Sequence, residues 1–157
     1  MFVVEPPNTV PTAHFTIFLA GSIEMGKAKD WQADVIRKLN TVDVAVLNPR
    51  RKDWDSTWVQ SSTNPEFTKQ VAWEMNGLEG SDLAVFYFEP GTMSPISLME
   101  LGWMSGLQKT CIVCCPEGFW RKGNVDLLCN RNGHRQVPTL DALITETVAH
   151  VIMKGRR

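Results

Sequence analysis

Two glutamates, Glu100 and Glu74, stand in stretches whose pattern is otherwise apolar, and they are the residues of this chain best suited to chemistry. The segment from Asp82 to Gly102 reads as strand, loop and helix. Ser94 suits the N-cap and Pro95 the first helical position. From there Ile96, Met99, Trp103 and Leu107 recur at helical spacing, which predicts a buried stripe, and Glu100 falls on it. In the preceding helix Phe67, Val71, Glu74 and Leu78 make a second stripe of the same kind. One carboxylate on such a stripe is as readily a satisfied core acid as a catalytic group. Two, on helices flanking one strand, point to a shared pocket, because acids are rarely buried without a partner. Paired acids in a partly apolar pocket suit reaction at an anomeric carbon: one attacks to give a covalent glycosyl-enzyme, the other protonates the leaving group. Burial and like charge push their pKa values apart, so that one stays protonated. No metal or cofactor is called for, since carboxylates serve the positive charge that develops.

Smaller signals accompany the pair. Gly21-Ser22, after an apolar run, can bring backbone amides close to a ligand hydroxyl or phosphate, and equally makes an ordinary turn. The Gly-x-Gly-x-x-Gly and phosphate-loop lysine patterns are absent. Arg50, Arg51, Asp53 and Asp55 sit among Trp54 and Trp58, where rings can stack on a planar base and aspartates can take its donors. The alternative is a solvated loop with tryptophans packed beneath it. Cys111 and Cys114 have the spacing of a zinc or redox motif. In an extended strand they point to opposite faces, so they read as buried small hydrophobes. The histidines show no ligand spacing.

These residues must be positioned by a modest single domain. The chain has 157 residues, is 43% hydrophobic and carries a net charge of -1, which gives no basic face for a nucleic-acid polymer. No apolar run is long enough to span a bilayer, and the N-terminus lacks the form of a signal peptide, so a cytoplasmic protein is expected. Residues 1–14, with Pro6, Pro7 and Pro11, read as an irregular arm, and 15–157 as the domain. Strands are predicted at Phe15–Ala20, Val42–Leu47, Asp82–Phe88, Thr110–Cys115 and Arg135–Val137. Helices are predicted at Lys27–Asn40, Pro65–Glu79, from Pro95, at Val125–Cys129 and at Pro138–Met153. Asn48 to Asn64 is a long loop, the kind a compact domain keeps for function. This alternation predicts an α/β, flavodoxin-like, doubly wound five-stranded parallel sheet with flanking helices. Ligands bind such sheets beyond the carboxyl ends of the strands, where the informative loops meet.

The residues are similar to those of the nucleoside 2-deoxyribosyltransferase family, from Phe15 to about Asn130. The resemblance rests on Ile17 to Ser22, on Asn48-Pro49-Arg50-Arg51 with Asp53 and Asp55, and on Glu74 to Leu78 before Ser81-Asp82. It extends through Ser94 to Gly102 and Gly123 to Asp126. It implies a retaining double displacement without cofactor. Glu100 matches the nucleophile that attacks C1′ of a 2′-deoxynucleoside, after which a second nucleobase attacks the 2-deoxyribosyl-enzyme. Glu74 stands at a position commonly Asp and takes the role of binding and protonating the base. Phe18, Gly21, Ser22, Asn48, Arg50, Asp53, Asp55 and Ser94 fall at substrate-binding positions. Asn124 and Asp126 match the segment that reaches the 5′-hydroxyl in a neighbouring subunit. A homo-oligomer, dimer to hexamer, is therefore implied, with deoxynucleosides and free nucleobases as partners. Two positions depart from the family. Phe18 replaces a first-strand tyrosine that holds the nucleophile in some members, which leaves Tyr87 as the candidate substitute. Ser94 replaces an acid, which leaves the base range open. The competing readings are a 2′-deoxynucleoside 5′-monophosphate N-glycosidase, with a phosphate on Gly21-Ser22 and Arg50 or Arg51, and a non-catalytic nucleotide-binding module.

Overall fold

Short runs of branched and aromatic residues become strands, and the mixed stretches between them become helices, in a computed structural model that describes residues 1–9, 14–51, 55 and 57–154. The strands are β1 (Phe2–Val4), β2 (Thr16–Gly21), β3 (Ala45–Leu47), β4 (Leu83–Tyr87), β5 (Cys111–Cys114) and β6 (Arg135–Val137). The helices are α1 (Trp31–Lys38), α2 (Pro65–Gly80), α3 (Pro95–Gly106), α4 (Lys122–Asn132) and α5 (Leu140–Lys154), with a 3-10 turn at Glu24–Gly26. All pairings are parallel, in the order β1-β3-β2-β4-β5-β6. Without β1 this is the doubly wound order expected of a flavodoxin-like sheet.

The sheet has six strands, not five. The extra one comes from the arm expected to be irregular: Phe2, Val3 and Val4 pair with Ala45, Val46 and Leu47. Three β-formers in a row find an otherwise open sheet edge there, and covering that edge satisfies the unpaired amides and carbonyls of β3. The second strand is shorter than predicted and α1 starts later. Asp30 caps α1 by accepting from the Ala33 N–H at 3.1 Å.

Alternation along the central strands sorts the core onto two faces. Phe18, Ala20, Ala84 and Phe86 face Leu78 of α2, Leu101 and Met104 of α3, and Val125 of α4. Ile17, Leu19, Leu83 and Val85 face Trp31 and Val35 of α1 and Leu143 and Val151 of α5. Cys111 lies in the first cluster and Cys114 in the second, so the two thiols are on opposite faces, as extended geometry demands. All four cysteines are free and buried, and desolvation holds the Cys111 and Cys114 thiols up at about 12.

Candidate active site

The chain changes winding direction between β2 and β4, the two strands at the middle of the sheet. Sheets of this kind bind ligands beyond the carboxyl ends of such strands. Asn64 at the N-cap of α2 accepts from the Glu66 and Phe67 amides, and Pro65 follows it, so the helix that carries Glu74 starts where its sequence dictates. Glu74 is partly buried. Gln70, one turn earlier and itself buried, donates through Nε2 to Glu74 Oε1 at 2.7 Å and to the Pro49 carbonyl at 3.3 Å. Arg51 donates to Gln70 Oε1 at 3.4 Å, which extends the chain of polar contacts to the loop after β3. Burial raises the Glu74 pKa and the Gln70 bond partly offsets it.

Glu100 sits on α3, also partly buried. Its pKa is pushed up to about 8, first by desolvation and then by the negative charge of Glu74. The tertiary structure thus brings the two acids close enough to feel each other, as their spacing on separate helices suggested. The stripe that singled out Glu100 is nevertheless not the core face. Ile96, Met99 and Leu107 are 56%, 62% and 46% exposed. The buried side of α3 is Ser97, Leu101, Met104 and Ser105. Small hydroxyl residues fit against the sheet, and Ser105 satisfies itself on the Leu101 carbonyl and His134 Nε2. Glu100 lies one turn from both Ser97 and Met104, so it is drawn inward from the edge of that face rather than from its centre.

Around the amino end of α3 a hydroxyl cluster joins two loops. Ser22 Oγ lies 2.7 Å from Ser94 Oγ and 2.8 Å from Thr92 Oγ1, and the latter two are 2.9 Å apart. The Glu89 amide donates to Ser22 Oγ at 2.8 Å. Ser94 occupies the N-cap position with φ 45°, but its hydroxyl does not cap; it faces Ser22. Glu24 Oε1 accepts instead from the Ser94 and Met93 amides, which lead into the helix, at 2.9 and 3.2 Å.

The other expected contacts are placed less directly. Gly21 pairs with Tyr87, and the Ser22 N–H donates to the Tyr87 carbonyl, so this turn is consumed by strand pairing and not by an approaching ligand. Phe18 is fully buried beneath α2, 6.0 Å from the Trp73 ring, and has no surface to offer a substrate. Tyr87 cannot stand in for the missing tyrosine, because it packs on Trp31 on the opposite face of the sheet. Asn48 is buried, donating to Glu5 and accepting from the Arg50 amide. Arg50 directs its guanidinium to the carbonyls of Gly26, Ala28 and Lys29, which makes it a clamp on the loop after β2. Asp53 lies outside the described residues. Asp55 is exposed and takes the Thr57 amide and hydroxyl in a local turn. Asn124 is exposed on α4, and Asp126 pairs with Lys122 at 2.7 Å.

Gln70, Thr92 and Glu24 escaped the sequence reading. Gln70 had a signal, its one-turn spacing from Glu74 on the same stripe. Glu24 had none, because only the approach of a distant loop gives it partners, and Thr92 showed no more than a turn closing on the Glu89 carbonyl. A hollow of about 340 Å³ lies at the other end of β5, lined by Lys109, His134, Arg135 and His150. It is remote from the acids, and its lining is already engaged, Lys109 with the Glu79 carbonyl and Arg135 with Glu146. Among the described residues no cluster of His, Cys, Asp and Glu is arranged to hold a metal ion, and no helix is long and apolar enough to cross a membrane.

A family model described as "Nucleoside 2-deoxyribosyltransferase like" matches residues 14–119. A conserved protein from Enterococcus faecalis V583 is similar in structure, with TM-score 0.61 at 14% identity over 88% of this chain and 99% of that one. The CMP N-glycosidase BcmB from Clostridium botulinum is similar with TM-score 0.56 at 19% identity, over 84% of this chain and 97% of that one. At these identities the likeness is one of fold. No curated protein sequence matches the chain.

Proposed function

The chain belongs to the nucleoside 2-deoxyribosyltransferase-like family, and from that premise we propose that it moves the 2-deoxyribosyl group between nucleobases of 2′-deoxynucleosides. The observation that carries this reading is the coupling of Glu74 and Glu100, two partly buried acids on adjacent helices with raised pKa values. Ionised Glu100 attacks C1′; the C1′–N bond breaks and its electron pair leaves with the base. The proton that Glu100 gives up as substrate binds passes to Glu74, held by Gln70, which delivers it to the departing base nitrogen. An incoming base then attacks C1′ and releases Glu100, and inversion twice over restores the starting configuration. The 2′-deoxy sugar favours this route, since without the electron-withdrawing hydroxyl the developing positive charge at C1′ is less costly. Asn124 and Asp126 are proposed to reach the 5′-hydroxyl of a substrate bound in a neighbouring subunit.

The second reading, hydrolysis of 2′-deoxynucleoside 5′-monophosphates, draws on the fold shared with a CMP N-glycosidase. The two separate in one assay. Deoxyadenosine incubated with free hypoxanthine or cytosine is expected to yield the exchanged deoxynucleoside. Rapid release of base from the monophosphate in water, with no exchanged product, would sink the transferase reading.

An assembly of identical subunits is part of the proposal. Met93, Ile96, Met99 and Leu107 leave the outer side of α3 and its leading loop largely apolar, a surface monomeric proteins seldom expose. Met99→Glu is expected to shift the protein toward smaller species in sedimentation velocity and to weaken turnover with it. A wild-type protein that sediments as a monomer at micromolar concentration would contradict this.

A further inference from the structure

We propose that Glu24 is a specificity-determining residue: its carboxylate stands at the amino end of α3 and so restricts the site to uncharged 2′-deoxynucleosides, excluding their 5′-monophosphates. This rests on the deoxynucleoside reading above and narrows it to a substrate class.

A helix amino end carries free amides and a partial positive charge, and it is the ordinary resting place of a phosphate. Glu100 lies about 7–8 Å along the axis from Pro95 at helical rise, a span that the sugar and phosphate of one nucleotide can bridge. Here Glu24 Oε1 accepts from the amides of Met93 and Ser94, which lead into the helix, so its negative charge stands at the entrance to the first turn. The contact joins two non-glycine residues in the left-handed region, Glu24 at φ 47° and Ser94 at φ 45°. Such conformations persist only where the surroundings hold them, so the carboxylate is built into the site and not a passing visitor.

Several donors that a phosphate could use are engaged as well. The Ser22 amide is bonded to Tyr87, and its hydroxyl to Thr92, Ser94 and the Glu89 amide. Arg50 clamps the carbonyls of Gly26, Ala28 and Lys29. The Lys29 ammonium pairs with Asp34 at 3.1 Å, and Glu89 brings a second carboxylate to the same loop by accepting from the Lys29 amide. Arg121 is stacked on the Trp120 ring at 4.2 Å. A phosphate dianion at the end of α3 therefore meets like charge, a repulsive element of the kind that sets specificity by rejection.

The test compares wild type, Glu24→Gln and Glu24→Ala on 2′-deoxyadenosine and 2′-deoxyadenosine 5′-monophosphate. Both base release and the dissociation constant from calorimetry are measured. Wild type is expected to favour the nucleoside by at least about a hundredfold. Glu24→Gln keeps the acceptor for the two amides and loses the charge. It is expected to raise kcat/KM and affinity for the monophosphate at least about tenfold while leaving the nucleoside within about threefold. A wild type that prefers the monophosphate overturns the inference even if the variants do not fold. So does an unchanged preference in a folded Glu24→Gln. If neither compound is turned over but calorimetry shows the preference moving with Glu24, the specificity inference holds and the transfer reaction is what fails.

Discussion

Glu100→Gln is expected to lower kcat/KM for base exchange by at least about 10⁴-fold, because an amide cannot form the glycosyl ester proposed for both half-reactions. Binding of the nucleoside is expected to survive, since the amide matches the acid in size. The acidity of Glu100 gives this substitution a second signature. The carboxyl is protonated up to about pH 8 in the free protein, whereas only the ionised form attacks. Because Glu74 must hold the pair's one proton when Glu100 attacks, wild-type kcat/KM should fall as pH rises through about 8, where the pair loses it. Glu74→Gln, which removes both the proton donor and the negative charge that helps raise Glu100, should replace that fall by a rise with pH centred below 8, at a reduced maximal rate. A profile that Glu74→Gln leaves unchanged in shape and position would mean that the two acids do not communicate. Stability follows the same linkage. The folded pKa lies above the unfolded value of 4.5, so the folded chain holds the proton more tightly. The contribution of Glu100 to stability is fully present below pH 4.5 and declines up to about 8, with a slope no steeper than about 1.4 kcal/mol per pH unit. Glu100→Gln should flatten that decline, and urea titrations at several pH values measure it. A folded but inactive Glu100→Gln, with wild type active, excludes the non-catalytic binding module.

Gly21→Ala is expected to cost at least about 3 kcal/mol of stability and to remove activity with it. Gly21 closes β2 at φ 137°, a conformation foreign to residues with a Cβ. A methyl there would stand 2.2 Å from the Tyr87 carbonyl oxygen and 2.8 Å from its nitrogen, both backbone atoms of the paired strand. Relief requires β2 and β4 to part at their carboxyl ends. The Ser22 amide would then lose the Tyr87 carbonyl, and the hydroxyl cluster with Thr92 and Ser94 would lose its anchor. Gly102→Ala is the control. It sits inside α3 with open space where the Cβ would go, and should raise stability by about 1 kcal/mol through helix propensity. Equal urea midpoints for wild type and Gly21→Ala would show that the close approach is not obligatory.

The doubly wound sheet was legible because its signals are local. Trp31, Val35 and Leu39 keep helical spacing and all three are fully buried. Cys111 and Cys114 are separated by strand alternation alone. The arm was misread for the opposite reason. Pro6, Pro7 and Pro11 dominate its composition, while the three residues of β1 gain structure only by meeting the edge of β3. The stripe on α3 misled because that helix is apolar on more than one side, and hydrophobicity cannot choose a face when serines take the inner one. Glu100 was still found, since any acid among so many apolar neighbours stands out. The resemblance places Arg50 at substrate, yet its guanidinium donates to carbonyls of a loop that sequence distance hides.

By itself the sequence determined the strand and helix order, the two anomalous acids and the likeness to a family of glycosyl-transfer enzymes. Each depends on periodicity, turn chemistry or contiguous motifs, which act over a few residues. Only the tertiary structure decided that Glu74 raises the pKa of Glu100, that Gln70 holds Glu74, and that Glu24 takes the amides leading into α3. Those are contacts between segments far apart in the chain, and a carboxylate acquires its charge state and its partner only from what folding places beside it.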